Sequence, residues 1–208
     1  MRNQKEIREK AEYFWMYNKG KVLVIALILV CCSYFGLTVS GKDKTDQNYS
    51  ILIVNHYMQQ EDKAKLKEEA SGYMQIPADA VQVDDSVQID PKNQKVNVAS
   101  GGLEMVTTQY FARDLDLMIA PREVAEYYCS LSGLEDLSEL LDPKVYEKLK
   151  PDMLTLKNKE GGEVPCAVSV SASRQKGLLG EEEMYLCVFA NSRHDQQNKQ
   201  MIQGFYAG

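Results

Sequence analysis

The chain has 208 residues, with 24 Lys and Arg against 30 Asp and Glu and a formal net charge of −6. Its first 21 residues hold six of the bases and three of the acids, so residues 22–208 carry 18 bases against 27 acids, a net −9. That acidity excludes nucleic acid, whose phosphates demand a basic footprint, and sets the bulk of the chain against anionic lipid headgroups.

In residues 1–21, Arg2, Lys5, Arg8, Lys10, Lys19 and Lys21 outnumber Glu6, Glu9 and Glu12, and Tyr13, Phe14, Trp15 and Tyr17 lie near the end. Val22 to Gly41 then runs 20 residues without Asp, Glu, Lys, Arg or His. At about 1.5 Å per residue a helix of that length spans roughly 30 Å, the thickness of a bilayer's hydrocarbon core. Basic flanks stay in the cytoplasm and aromatic rings settle among headgroups. The pattern predicts an uncleaved signal anchor over residues 22–41, with a cytoplasmic N-terminus and the remainder of the chain outside the cell membrane. Cleavage is the alternative, but the run is long and Thr38-Val39-Ser40 is a poor cleavage site. A lipid on Cys31 or Cys32 would need a small preceding residue, where Val30 and Cys31 stand, so both thiols are read as small apolar groups. Residues 42–48 are all polar and read as a stalk. Residues 49–208, roughly 160, suffice for one domain with its own core.

Within that domain, Tyr49 to Asn55 is a nearly continuous apolar run, the pattern of a strand covered on both faces. Gln59 to Tyr73 reads as a helix with Ala64, Leu66, Ala70 and Tyr73 inward. Val81 to Ile89 alternates at period two, a half-exposed strand, and Asp90 to Asn93 is turn chemistry. Leu103 to Arg113 reads as a helix with Met105, Val106 and Tyr110 inward, and Leu115 to Ala120 as a strand. Pro121 then sits at a helix start, Arg122 to Leu131 carries Val124, Ala125, Tyr128 and Leu131 at helical spacing, and Gly133 ends it. Leu134 to Leu141 and Lys144 to Leu149 read as short helices broken by Pro143. Pro165 to Ser171 and Met184 to Ala190 form a closing pair of strands around a charged loop, Ser173 to Glu183. Asp195 to Phe205 is a final helix with Met201, Ile202 and Phe205 inward. This order predicts a three-layer α/β domain with a mixed sheet and right-handed crossovers.

Cys129, Cys166 and Cys187 are odd in number and do not describe a disulfide framework. Three buried thiols are the expectation, with one Cys166–Cys187 bridge across a hairpin as the alternative.

Asp114 to Tyr127, then Gly133-Leu-Glu-Asp-Leu-Ser-Glu-Leu-Leu141, then Val168-Ser-Val170, Leu186 to Ser192 and the terminal helix resemble one lobe of the bacterial extracellular solute-binding proteins, the periplasmic-binding type 2 fold. The Tyr13 to Gly20 entry is similar to small membrane-anchored proteins of anaerobic Gram-positive bacteria. The resemblance covers residues 100–208 and implies an α/β fold. A two-lobed member runs to about twice this length, so a complete cleft between lobes is not implied.

The candidate binding surface is the carboxyl edge of the strands, where open α/β sheets hold ligands. Asn55, His56, Tyr57, Ala120, Pro121, Asn191 and Ser192 are assigned to it. His56 and His194 are the only histidines; without Cys or Glu at ligand spacing they make no zinc site, and no cofactor is expected. Asp195 is read as the cap of the last helix, and Asp116, inside an apolar run, as a structural hydrogen-bonding group rather than half of a catalytic pair with Asp114. Ser100-Gly-Gly102 lacks the Lys-Ser/Thr of a P-loop, and Ser130, Ser132, Ser169, Ser171 and Ser173 have no nucleophile-elbow setting. The expected function is a non-enzymatic module for a small solute or a membrane-protein partner. An assembly subunit of a transporter-like complex is the alternative, and an extracytoplasmic hydrolase a remote one.

Overall fold

The computed structural model describes residues 48–92, 101–173, 177, 179 and 182–206. Its compact unit begins at Asn48. The predicted cytoplasmic segment, the anchor over residues 22–41 and the stalk up to Gln47 lie outside the described residues, as does most of the 173–183 loop. No helix among the described residues is long and apolar enough to cross a membrane.

The domain is α/β with a six-stranded mixed sheet. Its strands are β1 (Tyr49–Val54), β2 (Val81–Val87), β3 (Leu117–Pro121), β4 (Met153–Lys157), β5 (Glu163–Ser169) and β6 (Met184–Val188), in the spatial order β2-β1-β3-β6-β5-β4. Both neighbours of β1 run parallel to it. From β3 onward every pairing is antiparallel, to β6, then β5, then β4. The helices are α1 (Gln60–Met74), α2 (Gly102–Ala112), α3 (Arg122–Ser130), α4 (Leu137–Leu140), α5 (Pro143–Leu149) and α6 (Asp195–Tyr206).

Alternation along the central strands sorts their side chains onto two faces. Ile51, Ile53, Leu117, Ile119 and Leu186 face Leu66 and Ala70 of α1 and Met201, Ile202 and Phe205 of α6. Leu52, Val54, Met118, Ala120 and Cys187 face Val106 of α2 and Val124, Ala125 and Tyr128 of α3. Because β1, β3 and β6 are buried on both faces, their sequences read as apolar runs.

Several boundaries differ from the sequence reading, each for a local reason. β4 went unpredicted because it is a five-residue edge strand with only Leu156 buried. The helix expected from Leu134 shrinks to one turn. Leu134 bridges to Phe189 and the Glu135 N–H donates to the Val188 carbonyl at 2.9 Å, so the helix begins only after Asp136, whose carboxylate accepts the Ser138 N–H at 2.8 Å. Pro143 does not break a helix but opens α5. After α3 the chain reverses at Ser132, with φ +56°, while Gly133 lets the backbone pass: a Cβ there would sit 3.2 Å from the Tyr128 carbonyl oxygen. Leu131, expected inward, falls beyond the end of α3 and stands 54% exposed. Gly101 and Gly102 also have structural work. Gly101 adopts φ +68° before α2, and a Cβ on Gly102 would meet the Gln88 carbonyl oxygen at 2.6 Å.

Candidate functional site

The carboxyl ends of β1 and β3 form a topological switch point. From β1 the chain crosses through α1 to β2 on one side; it then returns through α2 to β3 on the other. Such a reversal leaves a crevice outside the strand ends, the general ligand position in open α/β sheets. Asn55, His56, Tyr57, Ala120 and Pro121 all lie at this edge.

Their roles differ. Asn55 takes φ +61°, a left-handed conformation that Asn tolerates. Its side chain closes two 2.7 Å hydrogen bonds with the backbone of Ile89, and its N–H donates to the Val87 carbonyl at 3.0 Å. Asn55 therefore splices the end of β1 to the continuation of β2, and its amide is committed to the fold. Ala120 is fully buried and presents no side chain, and Pro121 joins β3 to α3. Two groups remain to meet a ligand: half-buried His56, whose Nδ1 lies 3.8 Å from Glu182 Oε2, and Tyr57, which is 68% exposed. Just beyond them, Asp85 anchors the loop. Its Oδ2 accepts the Met58 N–H at 2.8 Å and its Oδ1 accepts from Lys63 Nζ at 2.6 Å.

Asn191 and Ser192 do not join this surface. Because β6 runs antiparallel to β3, with Leu117 opposite Val188 and Pro121 opposite Met184, the residues after β6 emerge at the other edge, beside the start of β3. The seven sequence-assigned residues therefore divide between opposite edges of the sheet.

At that opposite edge sits a polar cluster centred on Asp116, which is 2% exposed. Its Oδ2 accepts the Ser50 backbone N–H at 2.9 Å. Its Oδ1 accepts the Ser192 hydroxyl at 2.6 Å and lies 2.8 Å from His194 Nδ1. The Ser192 oxygen in turn accepts the His194 N–H at 3.1 Å and the Asn198 amide at 3.0 Å, while the Tyr49 hydroxyl donates to Asn198 at 2.7 Å. Burial and the Asp116 charge push the Tyr49 hydroxyl well above the ordinary tyrosine pKa, keeping it a donor. The aspartate, not the histidine, bridges this cluster. In a nucleophilic triad the imidazole must accept the hydroxyl proton and the carboxylate must orient the imidazole. Here the hydroxyl donates straight to the carboxylate, so the arrangement satisfies buried polar groups and does not activate Ser192. This accords with the structural role read for Asp116. Asp195, expected as a cap, is instead the first residue of α6. The cluster escaped the sequence reading because its members lie on three stretches far apart in the chain, Tyr49 and Ser50, Asp116, and Ser192 to Asn198.

Cys129, Cys166 and Cys187 are buried free thiols. Burial, with the mutual influence of the three, pushes Cys166 and Cys187 far up, so neither is a ready nucleophile or metal ligand. Among the described residues no group of three or more His, Cys, Asp or Glu is placed to hold a metal ion. Open depressions among the described residues lie elsewhere, such as one of about 290 Å³ between α5 and α6, lined by Val145, Leu149 and Tyr206, and one of about 320 Å³ beside Glu126 and β4.

Comparison with protein-family models, curated proteins and solved structures finds no match to this chain.

Proposed function

We propose that the chain is a single-pass membrane protein, N-terminus in the cytoplasm, which displays residues 49–208 outside the cell as a non-enzymatic module that binds a small solute or a partner protein. The observation that carries the reading is the reversal of strand order at β1, with His56 and exposed Tyr57 at the carboxyl end where such folds hold ligands. The anchor rests on the uncharged run Val22 to Gly41 and its basic, aromatic flank. The resemblance to one lobe of a solute-binding protein supports the same kind of role. With a single lobe, recognition takes place on an open edge rather than in a closing cleft.

The test is purification of the full chain from gently solubilised native membranes, beside a His56→Ala/Tyr57→Ala variant, with bound proteins and small molecules identified by mass spectrometry. A component that accompanies the native chain in stoichiometric amount and leaves the variant at equal yield supports the reading. Identical profiles from the two proteins reject this edge as the recognition surface.

A further inference from the structure

Among the described residues three large apolar side chains stand exposed, and two of them share the sheet edge that carries Asp116. Phe111, in the last turn of α2, is 79% exposed, and Leu131, just past α3, is 54% exposed. The fold holds the loops that bear them in one arrangement, through the segment after β6. The Asn191 amide donates to the Tyr110 carbonyl, Arg193 Nη2 donates to the Ala112 carbonyl at 3.2 Å, and the Ala190 N–H donates to the Gly133 carbonyl at 3.0 Å. The Tyr110 ring packs edge-on against Phe111 at 5.7 Å, and a Cβ on Gly133 would lie 4.0 Å from the same ring. Apolar side chains fixed in this way lose little freedom on binding, which suits the centre of a protein interface.

The charge around the pair is one-sided. Asp114, Glu135, Asp136, Glu139 and Asp195 are set against Arg113 and Arg193, five acids to two bases, a local net of −3. Counting Lys199, a turn further along α6, still leaves −2. The β4–β5 hairpin at the far end of the same edge changes nothing, since Lys157 and Lys159 are matched by Glu160 and Glu163. Burial, then the charges of Asp195, Glu139 and Asp136, hold the Glu135 carboxyl above its ordinary value, so Glu135 sits among carboxylates that repel it. Burial and the Glu135 charge in turn push the Tyr110 hydroxyl up, which links the acidic group to the ring that supports Phe111.

We infer that this edge is a docking surface for a second protein, one whose contact surface carries Lys and Arg around an apolar centre that receives Phe111 and Leu131. Basic side chains there pair with the carboxylates and relieve their mutual repulsion, while the apolar pair leaves water. Residues 22–208 are net −9, which sets a second copy of the chain against an acidic patch, and anionic lipid is repelled for the same reason. The six residues of β1, about 20 Å long, separate this surface from the His56 and Tyr57 edge, so occupying one leaves the other open.

The test replaces Phe111, Leu131 or, as the far-edge control, Tyr57 by the photo-crosslinker p-benzoylphenylalanine in the full chain, irradiated in the cells that make it. Positions 111 and 131 are expected to link to one protein of different sequence, through peptides richer in Lys and Arg than in Asp and Glu, and position 57 is not. Glu135→Gln/Glu139→Gln/Asp195→Asn should lower the yield at position 111 by about tenfold, the loss expected for a few interfacial ion pairs. Adducts of twice the chain's own mass would place a second copy on the edge and overturn the inference. So would adducts with lipid alone or none at either position, an acidic linked peptide, the same adduct from position 57, or a yield that the charge changes leave unaltered. Glu139 and Asp195 are exposed, so Glu139→Gln/Asp195→Asn keeps the charge test if Glu135→Gln disturbs the fold.

Discussion

His194 Nδ1 lies 2.8 Å from Asp116 Oδ1, and this contact fastens the start of the last helix to the sheet edge at which the described chain begins. Through the same carboxylate, Ser50 on β1 and Ser192 after β6 are joined, so two segments far apart in sequence share one buried acceptor on a third. Removing it strands their donors. Asp116→Ala is expected to cost about 3–5 kcal/mol, the usual loss when one partner of a buried charged cluster is deleted. Ser192→Ala, which leaves the Asp116–His194 contact in place, should cost about 1–2 kcal/mol. Urea unfolding of the detergent-solubilised chain measures both, and an Asp116→Ala loss below that of Ser192→Ala would show that the cluster is not organised around the carboxylate.

At the other edge, Asp85 sets an acid dependence. Burial alone would raise its pKa, but the Lys63 hydrogen bond, the Met58 N–H and the Lys63 charge outweigh burial and hold the carboxyl below its ordinary value. A group depressed in the folded state contributes stability that is present above its unfolded pKa, about 3.9, and lost as pH falls through the folded value. Stability should therefore decline from about pH 5 downward. Lys63→Met should lower stability at neutral pH and flatten that decline, because a buried, unpaired carboxyl no longer prefers its charged form. Equal slopes for the two proteins between pH 5 and 3 would remove the Lys63–Asp85 pair as the source.

What the sequence made legible was set by burial. β1, β3 and β6 are covered on both faces and show as apolar runs, and Leu66 and Ala70 of α1, Val124, Ala125 and Tyr128 of α3 and Met201, Ile202 and Phe205 of α6 recur at helical spacing, whereas Ala64 and Leu131, also read as inward, are exposed. β4 was not legible, since an edge strand with one buried side chain has almost no pattern to read. The carboxyl-edge residues Asn55, His56, Tyr57 and Pro121 could be grouped because β-α-β order implies parallel strands. The direction of β6 is decided by pairing with β3, more than 60 residues earlier in the chain, and no local residue records it. Asn191 and Ser192 were therefore assigned to the wrong edge. A polar residue within an apolar run, Asp116, together with Ser192, His194 and Asn198 around a helix start, was the one available sign that a buried cluster forms there.

The thiols provide a test of the core. Cys166 and Cys187 lie on adjacent strands but are not direct cross-strand partners, since Ala167 stands opposite Cys187. With Cys129 they are buried, and burial pushes Cys166 and Cys187 up, which suppresses the reactive thiolate. Under native conditions at pH 8, peptides containing Cys129, Cys166 and Cys187 should resist iodoacetamide, and all three should be alkylated once the protein is denatured without reductant. A Cys166–Cys187 peptide pair that stays linked until reductant is added would restore the disulfide reading.

Gly204 marks the closest approach of α6 to α1. A Cβ built there would lie 2.2 Å from Cγ of Tyr73, at the root of the ring, where rotation about the side chain gives little relief. The same ring packs edge-on against Phe205 at 6.4 Å, so moving it aside disturbs the α1–α6 contact in the larger core. Gly→Ala inside a helix ordinarily gains up to about 1 kcal/mol. Here the overlap should reverse the sign, and Gly204→Ala is expected to destabilise by about 1–3 kcal/mol. Tyr73→Ala on its own should also destabilise, by removing packing, but in the Gly204→Ala background it should cost much less, because the two changes relieve one another. The double-mutant cycle reads this as a coupling energy between residues in contact. Additive losses, or a more stable Gly204→Ala protein, would mean that the two helices have slack at this crossing and that glycine is not required there.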